Sequence, residues 1–212
     1  MSRRSRVALK VVVWGVSLAP LAVLVYRAAT HDLGANPISF VTLWLGDWTL
    51  RLLLASLAMT PLRTLFGLSW PLALRRLLGL FAFAYATLHF SIWVVVDHFF
   101  DWREMGADIV KRPYVTVGMT ALTLMLPLAA TSTVAAIRRL GGKNWQRLHR
   151  LAYVIGVCGV LHYLWLAKKA NPTPYYYAMV LAALLAIRAW NRTRRRVARP
   201  VSGATFAPGS TR

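Results

Sequence analysis

Three histidines stand in apolar surroundings: His89 in "AYATLHF", and His149 and His162 in "WQRLHRLAYVIGVCGVLHYLW". An imidazole in hydrocarbon is costly without a partner, so each is first of all a candidate for function. Neutral imidazole ligates transition metals through either ring nitrogen, and two on facing elements at one depth would grip one metal from both sides. The plainer alternative is a hydrogen bond across neighbouring helices, with no ligand involved. The other two histidines, His31 and His98, stand beside Asp32 and Asp97 and read as solvated surface residues.

The elements that must position these side chains are membrane spans. Of 212 residues, 58% are hydrophobic and nine are tryptophan, too apolar for a soluble domain of this size. Six apolar runs, roughly 9–28, 43–62, 76–97, 114–135, 149–167 and 174–190, each approach the 20 residues a helix needs to cross a bilayer. Six spans put both termini on one side. With that side cytoplasmic, 19 of the 26 basic residues fall inside and all six acids, Asp32, Asp47, Asp97, Asp101, Glu104 and Asp108, fall outside. The positive-inside rule counts the basic residues and selects this orientation. It also accounts for the net charge of +20 without nucleic acid, for which no binding motif is present. The sequence therefore predicts an all-α, six-helix integral membrane protein: a basic cytoplasmic N-terminus over 1–8, a transmembrane domain over 9–196, and a disordered cytoplasmic tail over 197–212. Lipid is its first partner, and a membrane its expected location.

Within this topology spans three and five both run outward. His89 lies thirteen residues after Arg76, and His162 thirteen residues after His149, a rise of about 20 Å in each case. His89 and His162 are thus matched in depth in the outer half, with His149 near the inner surface. Two imidazoles so matched would hold a haem iron between them, and filling both axial positions suits electron transfer rather than oxygen chemistry. Thirteen residues also place His149 and His162 about 140° apart around an ideal helix. Distortion near Gly156 and Gly159, or sideways displacement of two haems, is then required for both to face one interior.

Other features are read more simply. The N-terminal apolar run is too long for a signal peptide and is taken as the first span. The lone Cys158 excludes an internal disulfide and any cysteine cage. Pro61 is expected to end the second span, and "HFFDWREMGADIVKRP", over 98–113, to form an outer loop with a short interfacial helix carrying Phe99, Phe100 and Trp102. Span-end tryptophans and tyrosines form an aromatic belt.

The stretches "TPLRTLFG", "LRRLLGLFAFAYATLHF", "KRPYVTVGMTALTLMLPLAATSTVAAIRRLGGKNWQRLHRLAYV" and "LHYLW" resemble the MsrQ (YedZ) family, loops included, over about residues 45–190. These are haem-binding membrane subunits of the bacterial periplasmic methionine sulfoxide reductase system, within the ferric-reductase-like transmembrane group. The resemblance implies a six-helix haem-binding bundle, b-type haem (one or two) and FMN. It implies haem ligation by His89, His149 and His162, and electrons passed from a cytoplasmic flavin reductase or quinol to a periplasmic molybdopterin methionine sulfoxide reductase. The wider group carries four such histidines; here the fourth place reads Arg75-Arg76. Arginine stays protonated and does not ligate iron, so Arg76 is assigned instead to a flavin phosphate, a haem propionate or an acidic donor surface.

The chain is thus expected to carry electrons and not to reduce sulfoxide itself, since it has no molybdenum-type site. It has no dinucleotide-binding glycine fingerprint either, so a separate donor is implied. Two alternatives stay open from the residues: a ferric or other metal reductase of the same fold, and a haemless membrane anchor or assembly factor.

Overall fold

The computed structural model describes residues 2–167 and 171–197. Lys168 and Lys169, and the tail beyond Val197, lie outside the described residues. The described residues are all helical: α1 (Arg3–Ala29), α2 (Pro37–Phe66), α3 (Pro71–Ile92) continued by a π-helical turn (Trp93–Asp97), α4 (Trp102–Lys111), α5 (Pro113–Ala130), α6 (Val134–Leu140), α7 (Gly142–Leu148), α8 (Leu151–Leu166) and α9 (Thr173–Val197). Proline opens α2, α3 and α5, where its missing N–H has no intrahelical partner to lose. Asn36 caps α2 by accepting from the Ser39 N–H, and Asp101 caps α4 by accepting from Arg103 and Glu104.

Among the described residues four helices are long and apolar enough to cross a membrane: Arg3–Ala29, Pro37–Phe66, Pro71–Asp97 and Pro113–Ala130. The chain is a multi-pass membrane protein on this count. The last two apolar runs form α8, of 16 residues, and α9, whose inner half is crowded with arginine. At 1.5 Å per residue α8 spans only about 24 Å.

Two helix pairs organise the interior. Helices α2 and α3 pack along their length as one antiparallel hairpin, and α5 and α8 as another, joined by α6 and α7. The two hairpins face each other over a core that includes Leu53, Leu78, Ala82, Tyr85, Met125 and Ile155. Helix α1 lies outside, tied by the Tyr85 hydroxyl donating to the Ser17 carbonyl at 2.7 Å and by the Trp44 indole donating to the Pro20 carbonyl at 3.1 Å. Its remaining surface, Val11, Val12, Val16 and Val25 among others, is exposed and apolar, as a lipid-facing helix requires.

Several expectations are revised. Pro61 does not end α2: the helix runs through it to Phe66 and stops at Gly67, whose left-handed φ of 68° ends the helix without the steric penalty a Cβ would bring. Gly156 and Gly159 do not distort α8, which is unbroken from Leu151 to Leu166. They serve close packing instead, since a Cβ on Gly156 would stand 3.2 Å from Leu57 and 3.3 Å from Leu181. The outer helix is present as α4, with Phe99, Phe100 and Trp102 exposed around its start. His98 is not a surface residue: it is 7% exposed, its ring centre is 4.5 Å from that of Trp93 with the planes tilted by 53°, and it is bonded to the Trp93 carbonyl and the buried Asp108 carboxylate. His31 is exposed as expected.

A paired-histidine site between two helix hairpins

His89, near the C-terminal end of α3, and His162, near the C-terminal end of α8, meet across the interface of the two hairpins. Their ring centres are 6.2 Å apart and their planes stand at 87°. Each ring is braced through Nδ1 against a carbonyl of its partner helix: His89 to Thr42 at 2.8 Å and His162 to Tyr114 at 2.7 Å. A carbonyl only accepts, so Nδ1 carries the proton in both rings and the lone pair lies on Nε2. Both rings line a largely apolar cavity of about 270 Å³, whose rim includes Trp93, Asp97, Arg112 and Tyr114.

The brace depends on two glycines. Gly46 lies four residues after Thr42, and Gly118 four after Tyr114, so each sits one helical turn beyond the accepting carbonyl. A Cβ at Gly46 would stand 3.2 Å from the His89 ring, and one at Gly118 2.7 Å from Nδ1 of His162. Neither glycine was singled out in the sequence. The available signal was an isolated glycine inside an otherwise apolar helix, which usually marks close approach of another group.

The donor set fits a haem iron. Imidazole nitrogens about 2 Å from a metal on opposite sides set the ring centres roughly 6 Å apart, and ligating histidines ordinarily donate their other N–H to a carbonyl or carboxylate. Among the described residues no group of three or more His, Cys, Asp or Glu gathers as a metal cage.

His149 stands apart from this pair. It occupies the turn between α7 and α8, with the Trp145 ring stacked 3.9 Å away and Nε2 3.1 Å from the Thr131 hydroxyl. Thr131 has a single hydroxyl proton and points it at the Pro127 carbonyl, 2.6 Å away, so Nε2 of His149 is the donor in that bond. Trp145 donates to the Thr131 carbonyl at 2.9 Å and completes the brace. Arg76 is exposed on α3, whereas Arg75 is half-buried. Asp47, one residue beyond Gly46, lines the same cavity as the histidine pair and bonds Arg51 at 3.4 Å.

Comparison with known proteins agrees with this architecture. Residues 45–160 match the model of the ferric reductase like transmembrane component, a range that holds His89 and His149 and stops just short of His162. A protein of Ralstonia nicotianae named protein-methionine-sulfoxide reductase heme-binding subunit MsrQ is 52% identical over 187 residues, covering 86% of this chain and 85% of its own. Proteins of the same name from Herminiimonas arsenicoxydans and Rhodospirillum rubrum are each 50% identical, covering 83% and 88% of this chain and 83% and 90% of their own. With half the sequence shared across most of both chains, and with the matched range spanning the two hairpins' core, this chain belongs to the MsrQ family of ferric-reductase-like membrane proteins.

Proposed function

We propose that this chain is a b-type cytochrome of the bacterial inner membrane that supplies electrons to a periplasmic molybdopterin methionine sulfoxide reductase. The observation that carries the reading is the pair of Nδ1–carbonyl bonds, which leaves both Nε2 lone pairs of rings 6.2 Å apart free for one iron. His89 and His162 would hold the haem, which when bound would supply a one-electron carrier. The chain's own residues do the rest. The Thr42 and Tyr114 carbonyls fix ring orientation and raise ligand basicity, Gly46 and Gly118 admit the rings, and the apolar lining keeps water from the site. Arg112 at the rim, bonded to Asp108 at 3.2 Å, offers a cation to propionates.

The topology belongs to the same proposal: six spans, with α8 and α9 crossing last and both termini cytoplasmic. Support comes from the charge distribution, with all six acids on the outer side. Helix α8 is short for a span, a mismatch that tilting neighbours or local thinning of the bilayer absorbs at modest cost. His149 marks an inner position with no second histidine facing it, and we assign to that face the entry of electrons from a flavin reductase or a quinol. FMN is proposed there too, supported by Arg75 and Arg76 beside an acid-free surface.

The test is the reduced-minus-oxidised visible spectrum of the purified chain with single substitutions. His89→Ala and His162→Ala are each expected to remove the same low-spin component. Loss of different components would refute the shared iron, and a colourless parent would leave the histidines as helix–helix braces only.

A further inference from the structure

On the inner side, away from the histidine pair, the ends of α2 and α9 enclose a second cavity of about 430 Å³ lined by Thr60, Arg63, Thr64, Arg188, Asn191 and Arg192. The Asn191 amide donates to the Thr64 hydroxyl at 2.9 Å, tying the two walls together. Three of the lining residues, Arg63, Arg188 and Arg192, are arginines. The Arg188 guanidinium lies 4.4 Å from the centre of the Tyr153 ring. Its buried Nε has no hydrogen-bond partner among the described residues, nor has the buried hydroxyl of Thr60 in the same cavity.

Basic residues at cytoplasmic helix ends are ordinary, favoured by topology and by the negative end of the helix dipole. Neither cause explains a guanidinium turned under the surface with an unpaired donor. No carboxylate is at hand: the ion pairs of all described residues involve Arg27, Arg51, Arg112 and His98 only. Three like charges around unpaired buried donors call for an anion, and the planar fork of arginine matches the oxygens of phosphate.

We infer that this cavity binds a phosphate ester through Arg188, Arg63, Arg192 and Thr60. The ester is either the headgroup of an anionic lipid of the inner leaflet or a soluble phosphate from the cytoplasm. The site does not depend on the haem reading.

The test uses the full chain in neutral detergent at fixed ionic strength, titrated with inorganic phosphate, flavin mononucleotide or short-chain phosphatidylglycerol, with phosphatidylcholine as the zwitterionic control. At least one of the three anions is expected to bind saturably. Arg188→Gln should weaken that binding by about tenfold, the loss of one charge-assisted contact. Arg192→Gln should weaken it too, and Arg4→Gln, far along the chain on α1, should leave it unchanged. Response to phosphatidylglycerol alone assigns the lipid headgroup; response to flavin mononucleotide or phosphate assigns a soluble ester. The site is refuted by the absence of saturable binding, or by equal affinities in the parent, Arg188→Gln and Arg192→Gln. If Arg188→Gln fails to fold, the exposed Arg63 and Arg192 carry the test. The visible spectrum of the same samples reports the proposed function separately, since an intact spectrum without anion binding overturns only this site.

Discussion

Gly118 gives the clearest single-residue test of the site. A methyl group there would stand 2.7 Å from Nδ1 of His162, inside any normal contact, and the carbonyl brace leaves the ring no free direction in which to move. Gly118→Ala is therefore expected to displace His162 and abolish or strongly shift the reduced spectrum, with an overpacking cost of roughly 1–3 kcal/mol. Gly46→Ala, with its closest approach at 3.2 Å, should shift the spectrum less, and Gly142→Ala, which meets nothing within 4 Å, not at all. An unchanged spectrum in Gly118→Ala would mean that His162 is not held as described. His149 gives the opposite prediction. Its Nε2 donates to Thr131 and its ring stacks on Trp145, so His149→Ala should cost about 1 kcal/mol in stability while the component owed to His89 and His162 survives. Loss of that component on replacing His149 would place it in the same site.

At the scale of the element, the ends of helices carry the argument. Helix α2 runs through Pro61, which removes one N–H, and is stopped by Gly67 at a φ of 68°. Any side chain at that position meets the following carbonyl, so Gly67→Ala should cost roughly 1–2 kcal/mol and lower the thermal midpoint by a few degrees. Circular dichroism in detergent would measure it, and an unchanged midpoint would show that the turn tolerates another conformation. Because α2 supplies both the Thr42 brace and one wall of the arginine cavity, a register error at this turn would be felt at both sites. The outer helix α4 illustrates the same dependence. Asp101 caps it, Asp108 on its buried side pairs with His98 and Arg112, and its exposed Trp102 and Val110 face outward.

For the whole molecule, the direction of electron flow rests on orientation. In the proposed topology all six acids, among them Asp97, Asp101, Glu104 and Asp108 around α4, lie on the outer side, and the arginines at the end of α9 lie on the inner side. A reporter fused after Arg196 should be active only in the cytoplasm. Periplasmic activity there would reverse the assigned direction and place the histidine pair in the cytoplasmic half.

How much of this was legible from residue order alone follows from the range of the forces involved. Helical content, four of the expected spans and the matched depth of His89 and His162 are properties of single segments. They depend on hydrocarbon thickness, a fixed rise per residue and the cost of moving charge, all of which act on a segment by itself. The family likeness was equally visible, because it resides in residue order. What only the tertiary structure decided are relations between segments: that α3 leans on α2 and α8 on α5, so that Thr42 and Tyr114 turn the two imidazoles toward each other. The same packing buries His98 against Asp108 although the adjacent Asp97 suggests a surface position, and makes Gly156 and Gly159 sites of contact rather than of bending. It also turns Arg75 inward while Arg76 faces out, a choice two adjacent and chemically identical residues cannot express, because it is the angle at which one helix meets the next that selects between them.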